Sequence, residues 1–479
     1  MRRFFCLILM FGAFAVSAQK FTHGYGNTPY NEGIASFQLM DSGYVTVANA
    51  TGFMQNTAPY VFFTDQNGVL RKDFMLSKPY LVNIRAAVMK DFILYLGGYA
   101  LLQGNYQFMV MKSDTSGNIL SEKSWGGPGW DFIHGLAINP GDTLFYCGES
   151  SDTTFGYTDA IAGALKPDLN PLWHHTIGGS WYDALYSINT DGATGLICAG
   201  ASASYTPGQD TALLLYKAGQ DGTTGWLITE DAPGPDVAYT IRPDLAGGYF
   251  LCGQTSRWPL YGKQGFLMKV DTSGAFQWIS QYNDEEDDCI YDAIQLAAGD
   301  YQLAGYNTGT YSSGGKDLML NNCGSDGFWS PLLPALIIGG LADDEGRHVL
   351  HTFDGGFLIT GTAKSYIPRL SSVMLVKCDS TGKHNQYSGH QTPVAEPFGT
   401  ASTLQVFPNP AGETLHCALP ETLLNQPLSW KINDMTGRTI LQGTRFPQPD
   451  KTLVIPLSEL KPGTFVICIN DFRVLFQKL

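Results

Sequence analysis

The stretch Gly247–Trp278, GGYFLCGQTSRWPLYGKQGFLMKVDTSGAFQW, decides the fold. A Gly-Gly turn opens into the apolar run Tyr249–Cys252, which Gly253 ends. After a variable polar stretch, a second apolar run, Phe266–Val270, enters the turn Asp271-Thr272-Ser273-Gly274 and leaves toward Trp278. Two short apolar runs separated by Gly-rich turns predict neighbouring antiparallel strands.

The unit occurs seven times. The turn position of Gly274 is filled elsewhere by Gly68, Gly117, Asn170, Gly222, Gly327 and Gly382, at intervals of 49 to 55 residues. The position of Gly253 is filled by Ala48, Gly97, Gly148, Gly200, Gly305 and Gly361, always 20 to 22 residues before its own turn. A constant inner spacing within a looser outer period predicts a fixed hairpin and variable connecting loops. A further apolar run precedes each hairpin, such as Phe132–Ala137 or Tyr182–Ile188. Each unit therefore holds about four strands in roughly fifty residues, the size of a propeller blade. Stacked blades bury both faces, so alternation is weak, as in Phe108–Met111, Leu213–Tyr216 and Val373–Val376. The segment Lys20–Asn31 resembles Lys123–Asp131, which ends one unit and starts the next. The N-terminus is therefore expected to supply the outer strand of the last blade, near Gly382–Gly389. The expected fold is all-β: a seven-bladed β-propeller, then a small antiparallel β-sandwich.

The chain of 479 residues is 13% aromatic and 15% charged, with 55 Gly, which suits many short strands joined by tight turns. Arg2 and Arg3, the apolar run Phe4–Val16 and the small residues Ser17-Ala18 have the pattern of a signal peptide, residues 1–18. No later stretch is long and apolar enough for a membrane span. The formal charge is −14; removing residues 1–18 takes Arg2 and Arg3 and no acid, leaving −16. Such a surface disfavours nucleic acid and anionic membrane as partners. Cys147 and Cys252 hold equivalent places in two units, as do Cys323 and Cys378, so they suit small buried hydrophobes. A Cys417–Cys468 bridge is left open. No C-x-x-C occurs.

The repeats, with Lys-x-Asp at Lys112/Asp114, Lys166/Asp168, Lys269/Asp271 and Lys377/Asp379, resemble secreted bacterial propeller repeats over residues 19 to about 391. The expected boundaries are 19–390 for the propeller, 391–403 for a Gly/Pro/Ser/Thr-rich linker and 404–479 for the last domain. That domain carries Pro408-Asn409-Pro410, then Gly437-Arg438 in a hairpin turn, then Leu460-x-Pro462-Gly463-x-Phe465. It resembles the C-terminal sorting domain of type IX secretion cargo. The resemblance implies export to the periplasm, passage across the outer membrane by the type IX machinery, and a final place on the cell surface or outside the cell.

No nucleophile, phosphate or metal pattern appears, and neither a cofactor nor a metal is expected. The run Asp284–Asp288 lacks the ligand spacing of a calcium loop and suits a solvated loop. His348 and His351 are too far out of phase on a strand to share a metal. Asp131, Asp183, Asp236 and Asp292 sit in similar places before the inner strands. They are turn caps or, alternatively, an acidic rim that binds a cation or sugar hydroxyls. Trp258 and Tyr261, in the variable loop Gln254–Lys263, are candidates to stack on a sugar face. These features favour a non-enzymatic module that binds protein or glycan. The alternative is a carbohydrate-active hydrolase or lyase with carboxylates in the central channel.

Overall fold

The computed structural model of the chain describes residues 19–384, apart from 53–55, 153–156, 193–194, 207, 209, 233, 258–261, 283–285, 310–311, 330–334 and 366–369. It also describes residues 405–478, apart from 408–410, 420–426, 435–437, 449–451 and 470–471. Two compact units result, Met1–Ala395 and Glu396–Leu479. Among the described residues all regular structure is β-strand.

The described residues of the first unit form seven four-stranded antiparallel sheets. Their inner strands are, in chain order, Tyr30–Gln38, Val82–Lys90, Asp131–Ile138, Asp183–Asp191, Asp236–Pro243, Cys289–Gln295 and Asp344–His351. Each inner strand packs beside the next, and Asp344–His351 packs beside Tyr30–Gln38, so the sheets follow one another in a closed cycle. This is the architecture of a β-propeller. The core lies between sheets: Ile197, Leu213 and Leu215 of the fourth meet Ile241, Leu251 and Met268 of the fifth. The eight cysteines among the described residues are free thiols, and seven are buried, including Cys417.

Local chemistry accounts for the repeat. In the turn Asp271–Gly274 the Asp271 carboxylate accepts the N–H groups of Ser273 and Ala275 at 2.8 and 3.0 Å. The hydroxyl and backbone donors hold its carboxyl below the usual range. Gly274 has φ +84°, a conformation that costs an L side chain strain. The outer-strand aromatic packs on the turn glycine of the next sheet: a Cβ on Gly222 would stand 3.0 Å from Trp173, and one on Gly327 3.0 Å from Trp278. The Lys of Lys-x-Asp reaches elsewhere. Lys269 pairs with Asp244 at 2.7 Å and Lys377 with Asp354 at 3.0 Å, each tying the third strand to the preceding turn.

The seventh sheet takes its outer strand from the other end of the chain. Phe21–Tyr25 runs antiparallel to Ser372–Cys378, with Phe21 opposite Lys377 and Tyr25 opposite Val373. Phe21 then packs on Gly68, the turn glycine of the first sheet, as the tryptophans do elsewhere. Tyr25 stacks on Phe62 at 4.6 Å.

The second unit pairs a three-stranded sheet, Gln405–Phe407, Thr414–Ala418 and Thr452–Pro456, with a four-stranded one built on Leu428–Asp434 and Gly463–Ile469. Leu415, Cys417, Leu453 and Ile455 of the first meet Trp430, Ile432, Ile467 and Phe476 of the second in one core.

Candidate functional site

Every inner strand of the propeller carries a bulge at the same level. The register slips across Ile34, Arg85, His134, Tyr186, Tyr239, Tyr291 and Arg347. A bulge leaves one residue out of the ladder and re-aims its side chain. All seven of these residues line one cavity of about 640 Å³, enclosed by the inner strands of all seven sheets.

In six of the seven sheets a glycine faces the bulge and lets the two backbones approach closely. A Cβ on Gly98, Gly148, Gly200, Gly253, Gly305 or Gly361 would lie 1.8–2.1 Å from the carbonyl oxygen two residues before the bulge. The strands therefore continue past this glycine, as Tyr249–Thr255 does past Gly253. In the second sheet the residue in this place is Gly98 and not Gly97, because Gly98 is opposite Ile84. In the first sheet Ala48 stands there, opposite Gly33.

Three positions before the bulges stand Asn31, Val82, Asp131, Asp183, Asp236, Asp288 and Asp344, all buried. Asp131 accepts from the Ser150 hydroxyl at 2.7 Å and from the Gly127 N–H. Asp183 accepts from the hydroxyls of Ser202 and Ser204 and from the Gly179 N–H. Asp344 accepts the N–H groups of Gly340, Lys364 and Ser365. Asp236 has Arg257 Nε 3.9 Å away. Burial pushes the carboxyls of Asp131 and Asp236 up to about 6. Asp131 and Asp183 are thus set among turn and strand-end donors and Asp236 beside Arg257, all outside the cavity lining. Asp292 is in a different place. The counterpart of Asp131 in the sixth sheet is Asp288, and Asp292 follows the bulge residue Tyr291. The sequence groups Asp292 with the others because Tyr291-Asp292 copies the aromatic-Asp pairs Trp130-Asp131 and Tyr182-Asp183, although the repeat spacing of 52, 53 and 52 residues falls on Asp288. Asp292 does line the cavity, where it accepts from Arg242 (2.8 Å), Thr240 (3.3 Å) and the N–H groups of Ala293 (2.9 Å) and Val349 (3.0 Å). Trp258 and Tyr261 lie outside the described residues.

The bulge side chains touch around the cavity. His134 and Tyr186 have ring centroids 5.0 Å apart, Tyr186 and Tyr239 5.6 Å, and Tyr239 and Tyr291 5.1 Å. Arg347 lies 4.0 Å from the Tyr291 ring centre. Arg85 NH1 donates to His134 Nδ1 at 3.1 Å, and His134 Nε2 meets Glu149 Oε1 at 3.1 Å. Arginine can only donate, so Nδ1 is the acceptor and Nε2 carries the proton. Burial, which pushes His134 below its ordinary range, agrees with that neutral form. Burial alone would raise Glu149, but hydrogen bonds from His134 and Tyr182 and the charge of Arg85 leave its carboxyl below the usual range. Tyr186 is pushed up to about 12 by burial, so its hydroxyl stays neutral.

The residues of the first unit, 19–384, contain six arginines, and Arg85, Arg242 and Arg347 line this one cavity. Arg347 pairs with Glu345, which also takes Lys316 at 2.7 Å. Among the described residues no group of three His, Cys, Asp or Glu side chains is placed to hold a metal, and no helix is long and apolar enough to cross a membrane. Sequence reasoning missed the bulge residues. Their signal was present as the third residue after the Asp that opens most inner strands.

In the second unit the Arg438 N–H donates to Asp434 Oδ1 at 3.1 Å, closing the turn between Leu428–Asp434 and Thr439–Arg445. Gly463 opens its strand opposite Lys478. Pro408, Asn409, Pro410 and Gly437 lie outside the described residues.

Residues 405–478 match the family described as the secretion system C-terminal sorting domain. A search of curated proteins finds no match. Among solved structures, puromycin hydrolase is similar at a TM-score of 0.45 and 13% identity, over 81% of this chain and 58% of that one. The AfRom2 CNH domain is similar at 0.42 and 10%, over 75% and 98%. Sqt1 from Chaetomium thermophilum is similar at 0.40 and 8%, over 74% and 99%. Likenesses this distant assign no activity. The chain is a secreted β-propeller repeat protein that ends in a type IX secretion sorting domain.

Proposed function

We propose that the protein is a non-enzymatic binding module, exported as type IX cargo after a signal peptide directs it to the periplasm, and that it holds a protein or glycan ligand in the central cavity of the propeller. The observation that carries this reading is the set of seven bulges. They put residues of unlike chemistry into one concave space while the surrounding frame repeats. Three of the carboxylates at and behind the cavity wall are engaged, which supports binding over hydrolysis, and Glu32, exposed in the lining, is a single carboxylate where glycoside hydrolysis takes a pair. Asp292 accepts four hydrogen bonds, Glu149 is held by His134, and Glu345 is shared by Arg347 and Lys316. A general acid or nucleophile needs a carboxylate free to reach substrate. A volume of about 640 Å³ suits a ligand of a few rings.

The test is a panel of glycans and extracellular proteins offered to the mature chain, scored for both retention and cleavage. Retention without cleavage that Tyr239→Ala abolishes is the expected result. Cleavage of a glycan, lost on Asp292→Asn, would establish the enzymatic alternative.

A further inference from the structure

Ring order gives the cavity two unlike walls. Arg85 comes from the second sheet and Arg347 from the seventh, on either side of Ile34 from the first. Tyr186, Tyr239 and Tyr291 come from the fourth, fifth and sixth, around the far side of the cycle. One wall therefore carries Arg85 and Arg347, with Glu32 on the strand between them, and the other three phenol rings with the Arg242–Asp292 pair.

The cations on the first wall have donors to offer. Arg85 gives one hydrogen bond, to the neutral His134 imidazole, and forms no ion pair with a carboxylate among the described residues. Its guanidinium lies 5.3 Å from the Tyr99 ring centre and 5.4 Å from that of Phe132, which hold it in place. Arg347 lies over Tyr291, shares Glu345 with Lys316, and has a buried Nε without a hydrogen-bond partner. In a chain of formal charge −14 the lining gathers three arginines beside the carboxylates of Glu32 and Asp292. A guanidinium presents a planar fork that matches a carboxylate or sulfate. Phenol rings offer apolar faces with a polar tip, suited to the C–H face and hydroxyls of a sugar.

Building on the reading of the cavity as a binding site, we propose that its ligand is an anionic sugar ring of an acidic glycan, with the acid group on Arg85 and Arg347 and the ring against Tyr186, Tyr239 and Tyr291. A flexible acidic peptide side chain would use the arginines and leave the aromatic wall empty. A neutral sugar would do the reverse. Only an anionic ring engages both walls.

The experiment measures binding of the mature chain to an oligogalacturonate as the carboxylate source, a heparin hexasaccharide as the sulfate source, maltohexaose as the neutral ring and a poly-glutamate peptide as the acidic chain. Binding of either acidic glycan, weakened about tenfold or more by Arg85→Gln and by Arg347→Gln at unchanged melting temperature, supports the inference. Whichever acidic glycan binds identifies the anion. Maltohexaose or poly-glutamate binding as tightly as the acidic glycans, or acidic-glycan binding unchanged in both arginine variants, overturns it. Tyr239→Phe keeps the ring and its packing and covers the case in which Tyr239→Ala does not fold. The two readings fail separately. A neutral glycan or a protein whose binding is lost on Tyr239→Ala overturns the anionic ring and leaves the cavity as the site. Retention of no ligand at all overturns both.

Discussion

Two positions on the same inner strands, three residues apart, differ in every respect that matters. The earlier one is Asp in five of the seven sheets, is fully buried, and in Asp131, Asp183 and Asp344 accepts hydrogen bonds from the turn and strand end around it. The later one is Ile, Arg, His, Tyr, Tyr, Tyr and Arg in turn, sits in a bulge and faces the cavity. The frame repeats because each sheet must solve the same backbone problem. The bulge residues vary because nothing in the sheet depends on their chemistry. In a repeat protein the repeated residues therefore report architecture, and specificity is carried by what departs from the repeat.

That contrast can be broken by substitution, and the largest effect should come from the frame. Deleting residues 19–25 removes a whole strand, its pairing with Ser372–Cys378 and the packing of Phe21 and Tyr25. Stability should fall by roughly 5 kcal/mol or more, enough to prevent folding in many domains. A melting temperature unchanged by the deletion would show that this strand does not hold the cycle together. Asp183→Ala should come next. It leaves two hydroxyls and one N–H without their buried acceptor, for a loss of about 2–3 kcal/mol by chemical denaturation. A neutral result would move Asp183 out of the frame. Gly274→Ala places a Cβ at φ +84°, 2.3 Å from Ile228, and should cost about 1–2 kcal/mol.

A smaller effect separates the buried acids from the exposed turn acids by pH. Asp131 and Asp236 have folded-state pKa values of about 6 against an ordinary 3.8. The folded state therefore binds protons more tightly, and the stability this gives is complete below about 4 and lost as pH rises through 6. The melting temperature should rise between pH 7 and pH 5, and Asp131→Asn with Asp236→Asn should flatten that slope. A slope that survives both changes would assign it to other groups. The smallest stability effect is expected at a bulge: Arg85→Gln should stay within about 0.5 kcal/mol of the parent, since Arg85 is solvent-exposed and among the described residues holds only a hydrogen bond to His134 and two ring contacts, with no ion pair. A larger loss would make it part of the frame.

Much of this was legible in the chain. The Gly-Gly turn, the apolar runs and the Asp271–Gly274 turn mark a hairpin because turn chemistry is local and acts within four residues. The sorting domain was legible in the order of its motifs, a property of sequence alone. The partner of the Lys-x-Asp lysine was not legible, because Lys269 pairs with Asp244, which lies 25 residues away and reaches it only through the sheet. Asp292 misled because Tyr291-Asp292 copies the local pairs Trp130-Asp131 and Tyr182-Asp183, whereas the repeat spacing falls on Asp288.

Sequence by itself determined the number of hairpin units, the turns that join their strands and the secretion address. These rest on backbone preferences and short spacings that each segment carries on its own. Only the tertiary structure decided which residue of each inner strand faces the centre. That choice depends on a bulge, faced in six sheets by a glycine on the neighbouring strand, and on seven strands brought together around one cavity from 314 residues of chain, from Ile34 to Arg347. The tertiary structure also brought Arg85 and Arg347 to either side of Ile34, a meeting of distant segments that no local pattern encodes.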